Sequence, residues 1–108
     1  MSLTEKKCVP CEGGIPPFTK EEAKKYLKKV EVWALIDGAI EKKFQFIDFK
    51  HALSFVNKVG NLAESEGHHP DILLHQYRNV KMSLSTHAIK GLSLNDFILA
   101  AKIDEIVR

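Results

Sequence analysis

Asp37-Gly38 constrains this chain more than any other pair of residues. A two-residue turn of this kind asks both positions for positive φ, which Gly adopts freely, and it joins two antiparallel strands. The flanking runs fit that role. Glu31 to Ile36 is rich in Val, Trp and Ile, and the return strand is expected from Ala39 to Ile47. Along it Ile40, Phe44 and Phe46 share one parity, while Glu41, Lys43 and Gln45 share the other. The hairpin therefore has an apolar face and a wet face, and the apolar face needs a second layer over it.

Helices are available to supply that layer. Thr19-Lys-Glu-Glu22 has capping-box spacing, and Ala23, Tyr26, Leu27 and Val30 follow at helical spacing. Asp48 is a suitable N-cap for a second helix carrying Phe49, Ala52, Leu53, Val56, Val59 and Ala63 to about Glu66, with Gly67 as its stop. Asp71 to Tyr77 and Val80 to Ser85 read as a second hairpin turning at Arg78-Asn79. Ser93 and Asp96 then open a third helix whose apolar positions are too broad for one stripe, so part of it is expected to face a partner subunit. The order is α-β-β-α-β-β-α, and the fold class is α+β.

Length and charge narrow the function. A chain of 108 residues makes one domain, read here as residues 18–108 behind an N-terminal arm of residues 1–17. Sixteen Lys and Arg against fourteen Asp and Glu leave a net charge of +2, which gives no reason to expect direct nucleic-acid binding. No apolar run approaches the ~18 residues of a membrane span, and no signal peptide is apparent, so a cytoplasmic protein is expected. Cys8-Val-Pro-Cys11 is half of a zinc or redox motif, but there are only two cysteines, and the pair reads as two thiols in a mobile arm.

The titratable chemistry is concentrated between Glu64 and Asp96, which holds His68, His69, His75 and His87. Histidine is the side chain whose ordinary pKa, ~6.5, lets it give or take a proton near neutrality. His68 and His69 follow a helix stop and precede Pro70, which holds them extended and therefore pointing to opposite sides. If the alternation of the last strand persists, His87 leaves its polar face. One of the adjacent pair is expected beside His87 in a cleft, as an acid–base site. Glu64 and His68 have the spacing of two metal ligands on a helix, but Gly67 interrupts it, and no metal is expected. His51 reads as solvated and His75 as structural.

The pattern Glu64–x3–His68-His69-Pro70–x6–Tyr77–x9–His87–x8–Asp96 resembles the signature of the pterin-4a-carbinolamine dehydratases. Trp33, the run Phe44-Gln-Phe46-Ile-Asp48-Phe49, and Thr86-His87 followed by Gly91-Leu92 agree with it. Gly67 stands where some members have an acidic residue. The resemblance implies a four-stranded antiparallel sheet with three helices on one face. It implies loss of water from 4a-hydroxytetrahydrobiopterin to give quinonoid dihydropterin, with pterin as the substrate and no cofactor. By position, His68, His69 and His87 match the family's catalytic histidines. Glu64, Pro70, Thr86, Trp33 and Asp96 are implied in substrate binding, with Asp96 equally suited to capping the last helix. A homodimer or homotetramer is implied, together with a link to an aromatic amino acid hydroxylase such as phenylalanine hydroxylase. Some members also serve as dimerisation cofactors of a transcription factor, and a role in molybdopterin metabolism is a further alternative.

Overall fold

The computed structural model describes residues 3–8, 16–30 and 32–107. Its elements are α1 (Lys20–Leu27), β1 (Ala34–Ile36), β2 (Ala39–Gln45), α2 (Phe49–Glu66), β3 (Asp71–His75), β4 (Asn79–Leu84) and α3 (Leu94–Ile106), with short 3-10 turns at Leu3–Glu5 and His87–Ile89. The four strands form one antiparallel sheet in the order β1-β2-β4-β3. Ile40, Phe44, Val80, Met82 and Leu84 point from it into the core, against Ala52, Phe55 and Val59 of α2 and Phe97 of α3. Fully burying each large apolar side chain contributes roughly 1.5–3 kcal/mol.

Local signals were realised where they are local. Thr19 and Glu22 make the reciprocal capping box, Asp48 accepts the His51 amide at 2.8 Å, and Gly67 ends α2 in the left-handed conformation at φ 66°. Asp37 and Gly38 have φ of 46° and 77°, as the tight hairpin requires.

Three expectations are corrected by long-range packing. β1 starts at Ala34 rather than Glu31, because Val32 takes φ 63° and turns the buried Trp33 inward, where its indole N–H donates to Asp104 Oδ2 at 3.1 Å. The second hairpin turns through Gln76, Tyr77 and Arg78, not at Arg78-Asn79, and His75 pairs with Asn79. A turn at Arg78-Asn79 would set Tyr77 opposite Val80 and swap the faces of β3. The observed register sets Ile72 opposite Met82 and Leu74 opposite Val80, keeping both inside. Finally, the apolar breadth of α3 is used within the chain. Residues 95–101 are all buried, enclosed by α2, by the turn at Leu3–Glu5 and by Phe18 and Tyr26, which stack near Phe97 at 6.1 and 5.7 Å.

Cys8 is also not a thiol in a mobile arm. It is buried, its Sγ–H donates to the Asn95 carbonyl at 3.6 Å, and Leu3 beside it belongs to the core cluster. Cys11 lies outside the described residues. A charge pair joins the sheet to α3: Lys42 shares the parity of Ile40 and Phe44, and its ammonium meets Asp104 at 2.8 Å.

Candidate active site

Two helix boundaries and one strand exit build the site. At the end of α2, the amides of Gly67 and His68 both reach back to the Ala63 carbonyl, which closes the helix and sends the chain off extended. At the start of α3, Ser93 and Asp96 form a capping box. After β4, the chain makes a bridge between Thr86 and Gly91 that encloses the 3-10 turn carrying His87. His87 is thus exposed from a loop rather than aligned on the strand's polar face, because β4 stops at Leu84.

These three ends meet at an open cleft of about 220 Å³ lined by Gly67, His68, His69, Ser85, Thr86, His87, Ala88 and Asn95. His68 and His69 face different surroundings, with side chains 11% and 60% exposed. The Nε2 atom of His68 lies 2.6 Å from Oδ1 of the fully buried Asp96. The other oxygen, Oδ2, accepts the Thr86 hydroxyl at 2.8 Å and the Ser93 amide at 3.0 Å. The Thr86 hydroxyl also lies 2.8 Å from that of Ser93. A carboxylate can only accept, so Nε2 is the nitrogen of His68 that donates to Asp96.

Of the residues anticipated from the sequence, His68, His69, Thr86 and His87 line this cleft and Asp96 lies directly behind it. Asp96 is both cap and partner of a histidine, one function per oxygen. Glu64 stands at the margin, exposed, with Oε1 3.4 Å from His69 Nε2. Pro70 is half-buried and outside the lining. Trp33 is no wall of this cleft, since it is packed edge-on against Phe44 and bonded to Asp104. Asn95 and Ser93 were missed. The Ser93-x-x-Asp96 box was visible, but only the fold brings that helix start to His68.

A larger cleft of about 460 Å³ lies between the start of α1, the β1–β2 turn and Lys90–Leu92. It holds Lys20, Lys24, Lys90 and Asp37 but no histidine, whereas the smaller one is lined by three. Among the described residues no three His, Cys, Asp or Glu side chains converge as metal ligands, and no helix is long and apolar enough to cross a membrane.

Comparison with known proteins defines the class as an α+β dehydratase. A family model described as pterin 4 alpha carbinolamine dehydratase matches residues 16–106, and the chain belongs to that family. A relative from Alkaliphilus metalliredigens, provisionally named pterin-4-alpha-carbinolamine dehydratase, is 50% identical over 96% of this chain and 95% of its own length. One of the same name from Methylococcus capsulatus is 51% identical over 97% of this chain and 93% of its own. A crystal structure from Brucella melitensis, titled a transcriptional coactivator/pterin dehydratase, superposes with a TM-score of 0.80 at 30% identity, covering 85% of this chain and 99% of that one. A pterin dehydratase-like protein described as a RuBisCO assembly factor in the alpha-carboxysome shares the fold, with a TM-score of 0.56 at 20% identity over 68% of this chain and 84% of that one.

Proposed function

We propose that this protein dehydrates 4a-hydroxytetrahydropterin by general acid–base catalysis from His68 and His87. In this reaction the 4a-hydroxyl leaves as water by taking a proton from an acid, N5 gives up its proton to a base, and a C4a–N5 double bond forms. The single observation that carries the reading is the 2.6 Å contact between His68 Nε2 and buried Asp96, in a cleft that His87 also lines. Such a contact fixes the tautomer and the ring plane, so that Nδ1 is held ready to exchange a proton with substrate. His69, more exposed and beside Glu64, is suited to binding the pterin's polar edge. Thr86 sits in the lining and holds Asp96. The physiological role that follows is recycling of tetrahydrobiopterin for an aromatic amino acid hydroxylase, in the cytoplasm, as a homo-oligomer.

The test is direct. Purified protein should accelerate dehydration of freshly generated 4a-hydroxytetrahydropterin, followed by stopped-flow absorbance. His68→Ala and His87→Ala should each lower the rate by roughly 10²-fold or more. Full activity in the double variant would sink the mechanism. The description of the Brucella protein as both coactivator and dehydratase favours one second reading, a protein-interaction role on the same fold. Co-purification with a partner and no dehydratase activity would decide for it.

A further inference from the structure

Glu66, the last residue of α2, has its charged side chain largely covered, outside the cleft. Its side chain is 8% exposed. Oε1 accepts the Cys8 backbone N–H at 2.9 Å, and Oε2 accepts from the Lys102 ammonium on α3 at 2.6 Å. Cys8 in turn donates its thiol hydrogen to the Asn95 carbonyl on the first turn of α3. The end of α2, residues 3–8 and two turns of α3 are therefore tied together through one carboxylate. Burial alone would push the Glu66 carboxyl up. The Lys102 hydrogen bond, the Cys8 amide and the charges of Lys102 and Lys7 together outweigh burial and hold it below its ordinary value.

The tie sits where the site is most sensitive to position. Glu66 is two residues before His68, and Asn95 is the residue before Asp96. Between Glu66 and His68 the chain passes through the left-handed Gly67, and the His68 amide is held to α2 by a 3.3 Å bond. His68 then reaches across to α3. Its 2.6 Å contact with Asp96 thus depends on the distance between the end of α2 and the start of α3. Hydrogen bonds tolerate only a few tenths of an ångström before weakening.

We infer that Glu66 is a positioning residue of the site. By joining Lys102 and the Cys8 amide, it fixes the gap between α2 and α3 and keeps His68 at bonding distance from Asp96. The expected effect on rate rests on the acid–base reading of His68, while the effect on the His68–Asp96 bond does not.

Glu66→Ala and Glu66→Gln test the inference through two readouts. In Glu66→Ala, kcat should fall roughly tenfold with KM within about twofold of the wild type, as expected when a reacting group is misplaced. The His68 ring Nε2–H, sheltered by Asp96, should exchange with solvent roughly tenfold faster by NMR, since tenfold is about 1.4 kcal/mol of lost protection. Glu66→Gln retains an acceptor for the Cys8 amide and should fall between the two. A purely structural role would lower Tm and leave the ring proton unchanged. If Glu66→Ala does not fold, the Gln variant decides by the same two readouts. A folded variant with wild-type ring-proton exchange and kcat would overturn the inference. If the wild type lacks dehydratase activity, the proposed function fails, and ring-proton exchange alone decides the role of Glu66.

Discussion

Asp96 holds a helix start and a histidine with one oxygen each, and an amide cannot do both. In Asp96→Asn the carbonyl keeps one task while the NH2 meets the other. If it meets His68, the ring must accept on Nε2 and move its proton to Nδ1, which reverses the tautomer. We expect a folded variant whose kcat falls by roughly 10²-fold or more, measured by stopped-flow against the wild type. Thr86→Val removes one donor to the same carboxylate and should cost about 1 kcal/mol of stability with a smaller loss of rate. Cys8 presents the opposite case of a group whose chemistry is suppressed. Burial, with the negative charge of Glu66 beside it, pushes its thiol up to about 12. In a Cys11→Ser background, a thiol reagent at neutral pH should label Cys8 only on unfolding, whereas a reactive thiolate would label at once.

Among the elements, the loop that carries His87 is held by a close backbone approach. A Cβ on Gly91 would lie 2.6 Å from Cβ of Pro17, and the next residue's carbonyl accepts the Phe18 amide at 2.8 Å. The Pro17 ring cannot swing aside as a flexible chain end would. Gly91→Ala should therefore cost about 1–3 kcal/mol in urea melts and disturb catalysis through His87. The helix limits were legible in the sequence because Thr19, Asp48, Gly67 and Ser93 act on backbone groups within a few residues. The β3–β4 register was not, because Ile72 and Leu74 are set inward by partners on β4 and α2 rather than by the turn. The start of β1 escaped for the same reason, since Val32 is strained to bury Trp33 against Phe44 and Asp104. Of the site, the histidines and Asp96 stood out through their spacing. That Oδ1 of Asp96 meets His68, and that Glu66 backs both, depends on how α2 crosses α3.

For the whole molecule, acid should find a defined weakness. The folded-state carboxyl of Glu66 lies below its ordinary value of 4.5, so the folded form binds fewer protons than the unfolded form in that window. Its contribution is complete above pH 4.5 and is lost as the pH falls through the depressed value. Urea midpoints should drop on acidification below that point, and Glu66→Gln should flatten the drop; an unchanged slope would remove Glu66 from the account. The contacts behind the site also impose an order in time. Cys8 meets Glu66 across 58 positions and Asn95 across 87, and His68 meets Asp96 across 28. During synthesis the sheet is complete at Leu84, before the residues that orient His68 have left the ribosome. A nascent chain ending there has His68 and His69 but neither His87 nor Asp96, and the contact between His68 and Asp96 forms only once α3 has docked.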